Sequence, residues 1–232
     1  MIDRYLNKSD FALNDEIKTL VEQHVSELSQ LCFTESVKPD HELFEYPVPE
    51  LGEGGSCSLF NEVADEPYDL TGILGKPNQF TRSALQSLHN VVAYVVEKTK
   101  LNWFGIYQTI KGCEQSNQDQ RLVKLAYTGA ISRSEYPLNE QYAQISNNVQ
   151  VGMTGQTKLI NNVTEYVEQG GAYYTCDPKV KSEACLPIFD KQQNVIGIID
   201  AEAFNTDFFD HRSLALLIAS CVVISGLLGS LA

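Results

Sequence analysis

The sequence predicts an α+β fold, in which an antiparallel sheet carries the terminal helices on one face and a loop-covered pocket on the other. Two observations lead to this expectation. Over residues 80–232 the elements run helix, strand, strand, irregular middle, strand, strand, helix, an order that fits an antiparallel sheet rather than alternating βα units. The strand-like runs also occur in pairs joined by polar connections, as hairpins do.

Three helices are predicted from apolar spacing and from capping residues. Residues 14–31 place apolar side chains at helical intervals and form an amphipathic helix. A second helix begins after Phe80, with Thr81 as its N-cap, and ends near Lys100. Asp210 is predicted to cap the last helix.

Four strands are predicted between these helices. WFGIYQTI (103–110) and RLVKLAYT (121–128) form one antiparallel pair, and SEACLPIFD (182–190) and NVIGIIDAEAF (194–204) form the other. We therefore expect residues 80–232 to be one domain. Residues 1–79 are expected to be an N-terminal helix followed by an irregular Pro- and Gly-rich extension, which wraps the domain or acts as a linker.

The chain ends in a stretch without charged residues, Leu214–Ala232, which is close to the length that crosses a bilayer. We expect a helix buried in the core or in a dimer interface instead, because no basic cluster flanks it as an interfacial anchor would. The net charge of -13 opposes phosphate contacts and excludes nucleic acid as a partner. The first residues lack a secretory signal, so a cytoplasmic location is expected.

The chain has six cysteines, and no two of them have the close spacing of a metal or thioredoxin-like site. No metal and no cofactor are expected. Cys176 lies in GGAYYTCDPKVKSE, which reads as a loop. Lys179 and Lys181 favour its thiolate and Asp177 opposes it, so the residues alone leave a reactive and an inert role open.

Acids and aromatic residues form a second group of candidates. Asp200 and Glu202 are two apart on a strand and therefore leave the same face, and Glu183 on the neighbouring strand could join them. This pattern indicates either a solvated strand end or a carboxylate cluster that receives an ammonium group or holds a proton. Trp103 and Tyr107 also share a face, as an aromatic pocket wall or as ordinary core.

Four runs in this order, NWFGIY, VGMTGQT, TCDPKVKSEACLPIFD and GIIDAEAF, resemble the free methionine-(R)-sulfoxide reductases, which are single GAF domains. The resemblance covers roughly residues 80–225 and implies reduction of free methionine-R-sulfoxide. It implies that Cys176 attacks the sulfoxide sulfur and becomes a sulfenic acid. It further implies that Glu183 and Asp200 are pocket acids, one of which protonates the leaving oxygen, while the remaining residues bind the substrate: Trp103, Tyr107 and Glu202.

The chain departs from this family at two further cysteines, which are absent from AISRSEYP (130–137) and from the glycine turn at Met153. A thiol must still reduce the sulfenic acid. The candidates are Cys185, Cys57, Cys113 or an external reductant such as thioredoxin or glutathione. The missing cysteines keep a second function open, a non-catalytic GAF sensor that binds an amino acid and reports its presence, with a homodimer as one route for the signal.

Overall fold

The computed structural model describes residues 2, 5, 15–31, 38–52, 58–111, 120–173, 177–229 and 231. The described helices are α1 (Asp15–Leu31), α2 (Asp40–Phe44), α3 (Thr71–Leu74), α4 (Gln79–Thr99), α5 (Glu140–Ala143), α6 (Asn147–Thr154), α7 (Val163–Glu168) and α8 (His211–Leu228). The described strands are β1 (Glu45–Tyr46), β2 (Pro49–Leu51), β3 (Ser58–Val63), β4 (Tyr68–Asp69), β5 (Trp103–Ile110), β6 (Arg121–Thr128), β7 (Glu135–Pro137), β8 (Lys158–Ile160), β9 (Ser182–Phe189) and β10 (Val195–Ala203).

The central sheet is antiparallel throughout, with the strand order β7-β6-β5-β10-β9-β8. Both predicted strand pairs are present, and β10 pairs with β5 to join them in the middle of the sheet. Helices α1, α4 and α8 contact one another and the sheet. The predicted α+β fold is therefore confirmed.

Alternation along the strands gives the sheet two different faces. Ala184 and Leu186 of β9 belong to the large core that also contains the side chains of α8. Cys185, between them, belongs to a separate cluster with Trp103 and the α6 residue Val149. The second face lies opposite the terminal helices. The predicted acids and aromatic residues lie on this second face.

Helix α4 begins earlier than its sequence indicates. Its N-cap is Asn78, whose side chain accepts hydrogen bonds from the backbone N–H groups of Phe80 and Thr81 at 2.9 and 3.0 Å. Thr81, the predicted N-cap, is instead the third helical residue and returns a bond to the Asn78 N–H at 3.1 Å. The prediction was wrong by one turn because both residues of a capping box have cap-forming side chains. The helix ends as predicted, with Lys100 in the left-handed region.

Helix α8 contains most of the charge-free segment near the end of the sequence. Asp210 caps it as predicted, accepting from the N–H groups of Arg212 and Ser213. By length and composition the helix could cross a membrane. In the structure it is a core helix, as expected: most of its apolar side chains are buried, and Ser225 donates to the backbone oxygen of Phe189 at 2.6 Å.

The N-terminal extension is more regular, where described, than its proline and glycine content indicates. It contains the short elements α2, α3 and β1 to β4, and it packs on the domain. Phe44 and Leu70 enter the large core, and Tyr46 donates a hydrogen bond to the backbone oxygen of Lys124 at 2.6 Å. The division of the chain at residue 79 remains a prediction.

Candidate active site

Three carboxylates converge on the second face of the sheet. Asp200 and Glu202 point the same way from β10, and Glu183 of β9 stands directly opposite Glu202 in the strand register. Oxygens of all three groups lie within 4.8 Å of one another. Glu183 and Asp200 are almost fully buried. The structure thus supports the cluster and not the alternative of a solvated strand end.

Burial raises the pKa of each acid in this cluster, and repulsion between neighbouring acids adds to the shift of Glu183 and Glu202. Burial, with the charge of Asp200 next, raises the pKa of Glu183 to about 8. Burial raises the pKa of Asp200 to about 6, although a hydrogen bond from Asn148 opposes the shift. Burial and both neighbouring acids also raise the pKa of Glu202. These carboxyl groups therefore retain protons near neutral pH.

Two asparagines of α6 complete the cluster, and the sequence analysis missed both. Asn147 donates from Nδ2 to Glu183 Oε1 at 3.1 Å, and Asn148 donates from Nδ2 to Asp200 Oδ2 at 2.8 Å. They lie between the two predicted strand pairs, in the part of the chain that the sequence indicates only as irregular. The available signal was Ser146, which caps α6 and fixes the first turn that aims both amides at the sheet.

Buried acceptors outnumber donors at this cluster. Asp200 Oδ1, Asn147 Oδ1 and Asn148 Oδ1 are buried and have no hydrogen-bond partner among the described residues. Unsatisfied buried acceptors are costly, so they indicate a ligand that brings N–H groups or positive charge. An ammonium group has three donors and a positive charge. Three carboxylates are also suitable ligands for a hard divalent cation; the expected absence of a metal remains a prediction.

An aromatic wall stands beside the acids. Trp103 and Tyr107 have ring centroids 6.4 Å apart, and Trp103 also stacks on Tyr127 at 6.1 Å. The Trp103 indole donates to the backbone oxygen of Ala130 at 3.0 Å, which fixes the ring's orientation. Both rings also belong to the packed cluster on this face of the sheet, so their role as a substrate-binding wall remains a prediction.

A small cavity, with about 20 Å³ of free space, lies between the wall and the acids. Its lining residues come from β5, β10 and the loops that cover them: Asn102, Trp103, Tyr107, Ala130, Ile131, Ser132, Tyr136, Asp177, Asp200, Glu202 and Phe204. The aromatic wall and two acids of the cluster therefore share one cavity. The third acid, Glu183, is reached through its neighbours.

Among the predicted cysteines, Cys57, Cys113 and Cys176 lie outside the described residues. The residues around Cys176 do reach the site. Tyr173 forms a side-chain hydrogen bond with Glu183, and Asp177 lines the cavity. Cys185 is fully buried, and burial raises the pKa of its thiol well above the ordinary value. A sealed neutral thiol is a poor nucleophile, which disfavours Cys185 as the resolving cysteine.

Gly105 is the residue that lets the Trp103 ring lie flat on β5. A Cβ at this position would come within 2.2 Å of the indole. We expect Gly105→Ala to displace the ring and to cost about 1–3 kcal/mol of stability through overpacking. Trp103 is the single tryptophan of the chain, so its fluorescence emission should shift to the red.

Gly72→Ala is the matched control, because no atom lies within 4 Å of the Cβ it would add. It should leave the emission unchanged. Identical spectra for Gly105→Ala and the parent protein would show that the ring does not depend on this close approach.

Comparison with known proteins places this geometry in a family. The model of the GAF domain family matches residues 83–225. The free methionine-R-sulfoxide reductase of Saccharomyces cerevisiae (strain ATCC 204508 / S288c) is 27% identical over 139 residues, which span 56% of this chain and 68% of that protein.

Solved structures agree at the level of the fold. A type II free methionine-R-sulfoxide reductase from Thermoplasma acidophilum superposes with a TM-score of 0.53 at 19% identity, covering 65% of this chain and 95% of that one. The free methionine-R-sulfoxide reductase from Neisseria meningitidis, in complex with its substrate, gives 0.51 at 17% identity, covering 69% and 84%. At these identities the similarity concerns the fold alone.

Proposed function

This chain belongs to the GAF domain family, and we propose that it is an enzyme that reduces free methionine-R-sulfoxide to methionine. The observation that carries the proposal is the cluster of Glu183, Asp200 and Glu202, two members of which, Asp200 and Glu202, line the same cavity as Trp103. Acids with surplus acceptors suit the ammonium group of a free amino acid, and an aromatic wall suits a methyl sulfoxide. The yeast relative is a free methionine-R-sulfoxide reductase, which supports this choice of substrate.

Cys176 is the proposed nucleophile. The chain on both sides of it is anchored at the site, through the Tyr173–Glu183 hydrogen bond and through Asp177 in the cavity lining. Asp177, a lining residue of the cavity, directly follows Cys176 in the sequence. This proximity, added to the sequence resemblance, supports Cys176 over the buried thiols Cys185 and Cys221.

The proposed step transfers one oxygen atom. The Cys176 thiolate attacks the sulfoxide sulfur, protonated Glu183 supplies a proton to the sulfoxide oxygen, and the oxygen ends on Cys176 as a sulfenic acid. The substrate sulfur is reduced by two electrons and the cysteine sulfur is oxidised by two. An external thiol, thioredoxin or glutathione, then forms a mixed disulfide with release of water, and a second thiol restores Cys176.

The deciding assay uses the purified full chain, free methionine-R-sulfoxide and dithiothreitol, with methionine formation as the measurement. We expect turnover of the R epimer. Calorimetric binding of the sulfoxide without any turnover would contradict the proposal. It would instead support a non-catalytic GAF sensor, the function that the two missing family cysteines favour.

The ammonium group of the substrate is expected to determine specificity. N-acetyl methionine-R-sulfoxide cannot place a positive charge on Asp200 and Glu202, and it leaves the buried Oδ1 of Asp200 unpaired. We expect its kcat/KM to be lower by at least about tenfold, or 1.4 kcal/mol. N-methyl methionine-R-sulfoxide, which keeps both a positively charged nitrogen and the carboxylate, is the control for added bulk. Equal rates for the acetylated and free substrates would contradict this role of the acids.

A further inference from the structure

Lys124 of β6 is a buried cation directly behind the aromatic wall. Its side chain is fully buried. Its Nζ lies 3.9 Å from the ring centroid of Tyr127, 5.1 Å from that of Tyr46 and 5.8 Å from that of Trp103. A buried charge is costly without compensation, and three ring faces supply part of it. One of these rings, Tyr46, comes from the N-terminal extension.

The rest of the compensation comes from Ser132, which lines the cavity. Lys124 Nζ donates to the Ser132 backbone oxygen at 2.8 Å and to Ser132 Oγ at 2.6 Å. An ammonium group can only donate, so Oγ must accept in this bond. The hydroxyl proton of Ser132 therefore remains available, and among the described residues no acceptor takes it.

This arrangement excludes Lys124 as a base that activates Ser132 for nucleophilic attack. A base must accept the hydroxyl proton and must be neutral to do so. Three aromatic rings and two oxygen atoms surround Nζ, and each of them is a partner that suits a donor. Lys124 is thus a fixed donor and a fixed positive charge, and Ser132 is a polarised donor at the cavity surface.

The lining of the cavity consequently includes groups of opposite character. Asp177, Asp200 and Glu202 give one part of its lining a negative character. Ser132, with the Lys124 charge behind it, gives another part a positive character. A free amino acid carries both complementary groups, an ammonium and a carboxylate, whereas a simple amine carries one.

We propose that Ser132, held by Lys124, binds the carboxylate of the free amino acid substrate. The inference rests on the proposed function for the class of ligand. It assigns a binding residue to the substrate carboxylate, the group that the acid cluster cannot bind. Ser132 contacts the carboxylate through its hydroxyl, and Lys124 is a positioning residue that acts through Ser132. Together with the acids, the pair selects a zwitterion over either charged half of it.

The test measures how each protein variant binds the complete substrate and two ligands that lack one of its groups. The ligands are methionine-R-sulfoxide, methionine, which lacks the sulfoxide oxygen, and the R enantiomer of 3-(methylsulfinyl)propylamine, which lacks the carboxylate. Affinities are measured by calorimetry for the parent chain, for Ser132→Ala and for Lys124→Met. Ser134→Ala is the matched control, because Ser134 is a neighbouring serine outside the cavity lining.

Ser132→Ala should weaken binding of both carboxylate ligands by at least about tenfold and should change binding of the amine by less than about twofold. Lys124→Met should show the same selectivity, and Ser134→Ala should change nothing. With turnover as the readout, KM should rise for Ser132→Ala while kcat stays close to the parent value.

Equal losses for all three ligands would overturn the inference by making Ser132 a purely structural residue, and no loss for any of them would overturn it as well. A loss for the two sulfoxides but not for methionine would assign Ser132 to the sulfoxide oxygen and reject the carboxylate. Parent protein that binds without turnover would contradict only the proposed reaction. Parent protein that binds none of the three would contradict both.

Discussion

Cys176→Ser is expected to abolish reduction of methionine-R-sulfoxide, with kcat/KM lower by at least about three orders of magnitude. A serine hydroxyl is not ionised near neutral pH and cannot take the oxygen as a stable sulfenic acid, so the first step of the reaction is lost. Methionine formation with dithiothreitol as reductant measures the effect. In the parent chain, dimedone added with substrate and without reductant should label Cys176 alone.

Cys221→Ala is the matched control for this prediction. Cys221 is buried in α8, in the large core on the opposite face of the sheet, so its removal should leave turnover in place. Methionine-R-sulfoxide should still bind to Cys176→Ser, because the acid cluster and the aromatic wall are intact. Substantial turnover by Cys176→Ser would transfer the nucleophilic role to another thiol and would contradict the assignment.

Glu183→Gln is expected to lower kcat/KM by at least about tenfold, or 1.4 kcal/mol, because an amide cannot give up a proton to the sulfoxide oxygen. The neighbouring contacts should survive, since Gln is close in shape to protonated Glu and its oxygen can still accept from Asn147. In the parent protein the alkaline limb of kcat/KM should fall near pH 8, where Glu183 loses its proton. This limb should be absent from the variant.

Glu183→Gln should also change how the stability of the folded chain depends on pH, because the pKa of Glu183 differs between the folded and unfolded states. Its pKa in the folded chain, about 8, lies above the ordinary value of 4.5, so the folded state binds the proton more tightly than the unfolded state does. Stability from this group is complete below pH 4.5 and is lost as the pH rises to 8. The unfolding temperature of Glu183→Gln should therefore fall less over this range than that of the parent.

Glu168→Gln is the matched control for both measurements, because Glu168 is an exposed residue of α7. It should retain parent activity and the parent dependence of unfolding on pH. Unchanged kinetics in Glu183→Gln would remove the general-acid role. A parent-like pH dependence of unfolding in that variant would show that Glu183 is ionised in the folded chain.

The fold was largely predictable because its signals are local. The strands of the two central pairs alternate or run apolar over their full lengths, and the end of α4 and the cap of α8 follow the residue types found there. The N-terminal extension was not predictable in this way. Its elements are only two to six residues long, so packing and not periodicity defines them; Tyr46, for example, is placed by Tyr68, Tyr127 and Lys124.

Part of the site was predictable for the same reason. The equal parity of Asp200 and Glu202 follows from strand geometry, and Glu183 joins them as soon as β9 pairs with β10. Asn147, Asn148 and Tyr173 come from other elements. Their side chains gain a role only after the chain between β7 and β9 folds over the sheet, and no sequence spacing relates them to the acids.

Sequence alone determined which residue types follow one another, and hence the helices, the strands, the shared face of the acids and the resemblance to a reductase family. The tertiary structure decided which of those groups meet. It brought three carboxylates together in a largely buried site, where desolvation raises the pKa of each and the neighbouring charges raise those of Glu183 and Glu202 further. It also placed Lys124 behind Ser132, where distance in three dimensions, and not order along the chain, sets the electrostatic energy.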